Sequence, residues 1–401
     1  MMRYEWKKIF ERRLNLAAMA AGYILVAVCL FSWISQASFW DEKTGSYIEG
    51  TSAVRASREK AKEQPGYVSE EYVTSIIGWI QEHEMDMESD DAYLEIIRPL
   101  GDIYYFIARN YTDMSEKYLD GNALMKVDLT GGARFYEQRM NKITSYLNMD
   151  FSYGNYKESE KEYWIQKAEN TEVPFVWGDK SVMDILWDST VVGIYLCFVI
   201  IICVSSVFAS EYESGAAHLL LTTRYGKDRM IWAKIAVSLL FAAGYLLVGI
   251  LFAAGTVGVL FGFSGKELPV QLWNSVIPYN LTVWQAYMGN CAVLLLIGIT
   301  LALVLLFCSA KLRSSLATLV VGMLLLIGPA FLPMSKESGL WNHINYLFPA
   351  RAVNLKEMLG AYVSYTAGNH VIPYVGMMAV VYAAVGAAAL LLVRRSFVKA
   401  G

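Results

Sequence analysis

The stretch ILWDSTVVGIYLCFVIIICVSSV at residues 185–207 is followed by FASEYESGAAHLLLTTRYGKDRMIWAK at 208–234 and by IAVSLLFAAGYLLVGILFAAGTVGVLFGF at 235–263. The first and third segments are apolar over more than the ~20 residues that a helix needs to cross a bilayer. The middle segment carries several charges and is too polar to lie inside a membrane. This alternation indicates a membrane protein that crosses the bilayer more than once.

The rest of the chain repeats this pattern. Of its 401 residues, 55% are hydrophobic, and the mean hydropathy is +0.35, which is high for a soluble protein. Six segments are long and apolar enough to span a membrane, and they are residues 14–33, 185–207, 235–263, 286–308, 314–332 and 372–393. We predict an all-α polytopic membrane protein with six transmembrane helices and a large, mainly helical extracytoplasmic domain between spans one and two.

The distribution of Lys and Arg predicts the orientation. The two short loops at 264–285 and 334–371 carry 4 basic residues together. The polar segments on the opposite side carry 14, and these are residues 1–13, 208–234, 309–313 and 394–401. Because basic loops stay in the cytoplasm, we expect a multi-pass protein of the cytoplasmic membrane with both termini cytoplasmic.

The N-terminal segment has two predicted parts. Residues 1–13 place Trp6, Ile9 and Phe10 at helical spacing, which is typical either of an amphipathic helix on the inner leaflet or of the basic end of the first span. Residues 14–35 form the first span. Its apolar run exceeds the ~7–15 residues of a secretory signal, so we expect an uncleaved anchor.

Residues 36–184 differ in composition from the remaining 185–401, which we predict to be a five-span domain. They hold 28 acidic against 16 basic residues, so a nucleic-acid partner is not expected. Apolar rows at helical spacing predict helices here, with a solvated helix at 155–170. All five cysteines lie in apolar segments, namely Cys29, Cys197, Cys203, Cys291 and Cys308. The absence of a disulfide framework favours a bacterial protein.

The chain lacks the motifs of several enzyme classes. Residues 262–267 (GFSGKE) are the nearest approach to a phosphate-binding loop, but they lack its spacing and its hydroxyl. The four histidines are scattered, and no zinc-protease motif occurs. The spans carry almost no charge, which argues against ion-coupled transport. We therefore expect a transport subunit that is not an enzyme and holds no cofactor or metal.

The polar segment 208–234 resembles the segment between the second and third spans of ABC-2 type permeases, the membrane subunits of bacterial ATP-binding-cassette exporters. The matching residues are Glu-Tyr-x-Ser-Gly at 211–215, Leu-Leu-Thr-Thr-Arg-Tyr-Gly-Lys at 220–227, and Ala-Lys at 233–234. In this family the segment is the coupling helix, which rests in a cleft of the ATPase subunit. The resemblance implies an ABC ATPase partner that binds ATP and Mg²⁺, and a second permease subunit in a homo- or heterodimer.

The resemblance also assigns candidate docking residues to a coupling helix near 208–223. Spacing puts Glu211 and Gly215 on one helix face that Leu219 continues. Glu211 would anchor the helix by hydrogen bonds or an ion pair, and Gly215 would allow close backbone approach. Basic residues could pair with acidic groups of the ATPase or with anionic membrane lipid. The predicted ATPase-docking residues are Glu211, Tyr212, Gly215, Leu219, Arg224 and Lys227. On spacing alone, an ordinary cytoplasmic turn is the favoured interpretation of this segment.

These observations predict a permease that exports a substrate by alternating access, powered by a separate ATPase. The family resemblance suggests an antimicrobial peptide, a lipid, a drug or sodium as the substrate. The alternative is a membrane-anchored sensor or scaffold whose outer domain binds a ligand, and a membrane enzyme is a third interpretation. The short cytosolic segments lack the output module that a sensor would normally carry.

Overall fold

The computed structural model describes residues 1–41, 44–63, 66–114, 116, 119–130, 132–223, 226, 228–368 and 370–398. The described chain is mostly helical. Within this part, five helices are long and apolar enough to cross a membrane, and they are Arg13–Gln36, Ser181–Glu213, Arg229–Phe261, Val283–Leu312 and Tyr374–Val398. Five of the six apolar segments thus lie in helices long enough to be spans.

The chain begins with two separate helices, α1 (Met2–Phe10) and the long α2 (Arg13–Gln36). Arg12 has an extended backbone and interrupts the helix between them. The side-chain amide of Asn15 donates a 2.9 Å hydrogen bond to the carbonyl of Ile9, which joins the two helices across this break. Of the two interpretations of the N-terminal segment, this break favours a distinct amphipathic helix.

The region between α2 and the next long helix is a helical domain with one hairpin. Its elements are β1 (Ser38–Asp41), β2 (Ser46–Glu49), α3 (Gly50–Ala61), α4 (Glu70–Glu82), α5 (Asp90–Ala92), a π-helical turn (Tyr93–Ile97), α6 (Arg98–Leu100), α7 (Asp102–Tyr111), a 3-10 turn (Gly121–Lys126), α8 (Phe135–Leu147) and α9 (Glu158–Glu169). We call the end of the long helices that carries this region the domain end. Its apolar core is continuous with that of the long helices.

The remaining chain contains four long helices and the connections between them. Its elements are α10 (Ser181–Val192), α11 (Ile194–Glu213), α12 (Ala216–Thr222), α13 (Arg229–Phe261), a 3-10 turn (Val270–Leu272), α14 (Val283–Leu312), α15 (Ser315–Ile327), a 3-10 turn (Gly328–Phe331), α16 (Gly339–Tyr346), α17 (Pro349–Ala352), α18 (Leu355–Leu359), β3 (Ser364–Ala367), β4 (His370–Pro373) and α19 (Tyr374–Val398). The helices α10 and α11 form one apolar rod interrupted at Gly193. A Cβ there would lie 2.4 Å from the Leu294 side chain and 2.8 Å from the carbonyl oxygen of Thr190, so a larger residue would force the helices to shift.

The apolar segment predicted at 314–332 is shorter than the other five. It forms α15, which has 13 residues, and the 3-10 turn that follows it. The side chain of Ser314 caps its beginning by accepting from the amide of Ala317. Pro329 has no amide hydrogen and ends the regular helix. This segment is therefore apolar but below the usual length of a span.

Two short antiparallel hairpins depart from the all-α prediction. Strand β1 pairs with β2, where Trp40 faces Tyr47, and strand β3 pairs with β4. Aromatic side chains that face each other across two strands stabilise such pairs. Both hairpins lie at the domain end, directly after α2 and directly before α19.

The helix predicted to be solvated at 155–170 is in fact half-buried. It corresponds to α9, where Trp164 and Ala168 are almost completely buried. They pack against α8 and against two segments that connect long helices, through Val276 and Tyr362. The prediction failed because the Lys and Glu spacing describes only the exposed face of α9.

Candidate functional site

The predicted docking segment forms a helix, a break and a second short helix. Helix α11 ends at Glu213, and Gly215 has a left-handed backbone with φ of 73° before α12 begins. The prediction that Glu211, Gly215 and Leu219 share one continuous helix face is therefore wrong. A Cβ at Gly215 would meet nothing of this chain within 4 Å, so within the chain this glycine serves the left-handed backbone conformation.

The short helix α12 has one buried and one exposed side. Ala217 and Leu221 face inward and are buried. His218 is exposed, and Leu219 is 73% exposed. The turn thus presents an apolar side chain to its surroundings, while its other face packs against the long helices. The predicted docking residues Arg224 and Lys227 lie outside the described residues.

Glu211 faces inward and belongs to a buried ion-pair cluster. Its Oε1 atom lies 2.8 Å from Nζ of Lys234 and 2.6 Å from Nζ of Lys8. The same Lys234 ammonium lies 3.0 Å from Oε2 of Glu5. Lys234 is only 1% exposed, and Glu211 is 6% exposed. We call Glu5, Lys8, Glu211 and Lys234 the buried cluster.

The charges and donors of the buried cluster are balanced. Two carboxylates face two ammonium groups, and Lys234 also donates a 3.0 Å hydrogen bond to the carbonyl of Val207. Partial burial disfavours the charged form of Lys8. The hydrogen bonds and negative charges of Glu211 and Glu5 outweigh this effect, so the pKa of Lys8 lies above its ordinary value. Compensation of this kind is what allows charges to remain in an apolar surrounding.

The buried cluster connects elements that are far apart in sequence. Glu5 and Lys8 come from α1, Glu211 from the last turn of α11, and Lys234 from the second turn of α13. A displacement of the segment between α11 and α13 therefore acts directly on the N-terminal helix as well.

Neighbouring contacts connect the same segment to α15 and α19. The Glu213 carboxylate accepts from the amide and the hydroxyl of Ser315, at 2.7 and 2.9 Å, where α15 begins. The ring of Tyr212 lies 5.5 Å from that of Phe397 near the end of α19. A salt bridge of 2.6 Å joins Arg394 of α19 to Asp228. At this end of the molecule, side-chain contacts thus form a junction of α1, α11, α13, α15 and α19.

The described part of the chain contains no group of three or more His, Cys, Asp or Glu side chains that could hold a metal ion. The charged groups of the buried cluster are engaged with one another. Glu5, Lys8 and Lys234 were not among the predicted site residues, although lone charges at the ends of apolar segments are a usable signal.

A protein family model matches more than half of this chain. The family DUF2705, described as "Protein of unknown function", matches residues 157–394, which is more than half of the chain. The chain belongs to the DUF2705 family. No curated protein matches it, and no solved structure does. The part shared with DUF2705 contains Glu211, α12 and Lys234, whereas Glu5 and Lys8 precede it.

Proposed function

We propose that this DUF2705 protein is the permease subunit of an ATP-driven exporter, and that a separate ATPase subunit docks on α12. The main support for the proposal is that the turn has one exposed and one buried side. Its tip exposes Leu219, while its base holds the buried Glu211. A tip that is free to bind and a base that is fixed to several helices are the two properties that a coupling element needs.

The proposed mechanism is a two-state bias of the helix arrangement. ATP and Mg²⁺ bind the ATPase subunits, whose approach displaces α12. The displacement reaches α13 through the pair of Glu211 and Lys234 and reaches α1 through Glu5. Inward-open and outward-open arrangements then exchange without a chemical step on this chain.

The proposed transporter contains two permease chains and two ATPase subunits. Two permease chains, identical or different, associate in the cytoplasmic membrane of a bacterium, and each binds one ATPase. Helices α1 and α12 and both chain termini lie on the cytoplasmic side, and the domain of α3–α9 lies outside the cell membrane. The apolar segment Ser315–Phe331 completes six spans. The exported substrate is a peptide, a lipid, a drug or an ion.

The test compares two leucines of equal exposure at opposite ends of the molecule. Leu219 is 73% and Leu340 is 74% exposed, and the latter lies on α16, whose first amide bonds to Tyr153 of the domain. The tagged full-length chain is purified from its native cell. A co-purified subunit with Walker and signature motifs is identified by mass spectrometry, and vanadate-sensitive ATP hydrolysis is measured.

We expect Leu219→Asp to lower the associated ATP hydrolysis at least about tenfold, because a charge desolvated at an apolar contact is strongly unfavourable. Leu340→Asp should leave it unchanged. If no such ATPase accompanies the unmodified chain, or if both variants retain it equally, the docking proposal is wrong.

A further inference from the structure

A second site lies at the domain end, far from the buried cluster. It is a cavity of about 410 Å³ between the β1–β2 hairpin, α3, the π-helical turn and the start of α10. This volume lies in the range of pockets for small ligands, which is roughly 300–1,000 Å³. A π-helical turn within a helix often marks a functional site, and here it contributes Tyr93 and Ile97 to the wall.

The wall of the cavity is rich in aromatic side chains. They come from four separate elements and the chain before α10, and they are Phe39, Trp40, Tyr47, Tyr93, Tyr105 and Trp177. The three tyrosines keep more than a third of their surface exposed. Aromatic rings with a polar edge suit the boundary between lipid and water.

One cation of the wall lacks an anionic partner. The guanidinium carbon of Arg98 lies 3.8 Å from the ring centroid of Trp40. In the described part of the chain, Arg98 has neither a hydrogen bond nor an ion pair. A guanidinium stacked on a ring still presents its in-plane N–H groups, which match the geometry of a phosphate.

The carboxylates of the wall are already engaged. Asp102 lies 2.9 Å from Nζ of Lys180, and Asp179 accepts a 2.9 Å hydrogen bond from Ser57. Asp184 lies 3.0 Å from Nζ of Lys356 and accepts from the indole of Trp273. Lys60 also lines the cavity and donates to the carbonyl of Pro99. Arg98 and Lys60 thus supply positive charge beside the Asp179 carboxylate, which is bonded by the hydroxyl groups of Ser57 and Ser181.

The position of the cavity indicates the origin of the ligand. Ala37 and Ser38 line it directly after the end of α2, and Lys180 and Ser181 line it where α10 begins. Both helices belong to the segments long and apolar enough to cross a membrane. The cavity therefore opens at the depth where lipid headgroups lie.

We propose that this cavity binds the headgroup of an anionic phospholipid from the leaflet on the domain side. Arg98 donates in-plane hydrogen bonds to the phosphate, and Trp40 holds the guanidinium in position. Tyr47 and Tyr93 contact the glycerol region. This site is independent of ATPase docking, so either proposal can fail without the other.

The test uses the full-length chain in a neutral detergent without any ATPase. Binding of short-chain phosphatidylglycerol is measured by isothermal titration calorimetry, with short-chain phosphatidylcholine and inorganic phosphate as comparison ligands. We expect phosphatidylglycerol to bind at least about tenfold more tightly than either. Arg98→Gln should weaken it about tenfold or more, the usual effect of losing hydrogen bonds to a charged group.

Two further variants make the result specific. Arg55→Gln removes an exposed arginine of α3 that does not line the cavity and should leave binding unchanged. Arg98→Lys keeps the charge but not the planar pair of donors, so it should also weaken binding; it serves if Arg98→Gln does not fold. Equal binding of inorganic phosphate, unchanged binding in both Arg98 variants, or an equal loss in Arg55→Gln would overturn the proposal.

Discussion

Replacing Glu211 with methionine should destabilise the protein strongly, because it removes one member of the buried cluster at nearly constant side-chain volume. The two ammonium groups of Lys8 and Lys234 would then face the single carboxylate of Glu5. The buried cluster changes from neutral to a net charge of +1. Since Lys234 is almost inaccessible to water, solvent cannot compensate for the lost carboxylate.

The magnitude follows from the burial of each pair. Removing one partner of a buried ion pair costs roughly 3–5 kcal/mol. The contact to Lys8 adds little, because that side chain is 36% exposed and such pairs contribute about 0–1 kcal/mol. Glu5 remains 3.0 Å from Lys234, which places the cost near the lower limit. We therefore expect a loss of about 3 kcal/mol, or roughly a hundredfold in the folding equilibrium.

The assay is reversible unfolding in mixed micelles, followed by the fluorescence of the 11 tryptophans. The decisive variant combines Glu211→Met with Lys234→Met. It leaves Glu5 and Lys8 as a balanced pair 3.4 Å apart. Because a buried ion pair and an apolar pair of similar volume are often equally stable, the double variant should recover most of the loss.

A matched control is available two residues away. Glu213 is exposed, and its contacts in the described part of the chain are with the start of α15. Since water can replace them, Glu213→Met should cost about 1.5 kcal/mol, the lower end for hydrogen bonds to a charged group. If the double variant is as unstable as Glu211→Met alone, the loss does not come from an uncompensated Lys234, and the role assigned to the buried cluster is refuted.

Two other measurements address topology and pH. Cysteines at the exposed positions Ser75 and Ser145 should react with a membrane-impermeant thiol reagent in intact cells, and one at the equally exposed Ser214 should not; labelling of Ser214→Cys would contradict the topology. Burial and the charge of Arg109 lower the pKa of Lys142 to about 8. The unfolded chain then binds more protons between pH 8 and about 10, so stability should rise with pH in that window. Lys142→Met should abolish this rise. If stability still rises with pH in that variant, Lys142 is not the cause.

The long helices could be predicted because their signal is local. Five apolar segments match helices of spanning length, since chain length and hydropathy alone decide whether a segment can cross a bilayer. The segment at 314–332 met the same criterion, but Pro329 shortens its regular helix. The two hairpins were missed, since strands of four residues are too short for a periodic pattern.

The site was predicted only in part, because the contacts that define it are not local in sequence. The position of the turn between α11 and α13 follows from the sequence, whereas the inward direction of Glu211 does not. Its partners lie 203 and 23 residues away along the chain, and spacing within one segment contains no information about such pairs. A resemblance that assigns Glu211 to a docking face likewise does not reveal that its side chain is buried.

The packing of α8 and α9 determines which part of this protein could be exchanged as a unit. Arg139 of α8 is buried and donates to the carbonyls of Ser275 and Ile277, at 2.6 and 3.4 Å, in the connection from α13 to α14. Trp164 packs on Tyr362 in the connection that leads to α19. An excised domain would expose these surfaces and leave the Arg139 guanidinium with only its acceptors inside the domain, the carbonyl of Ala168 and the hydroxyl of Thr171. A chimera that transplants residues 37–180 must therefore also include both connections. The domain and these two connections form one structural unit.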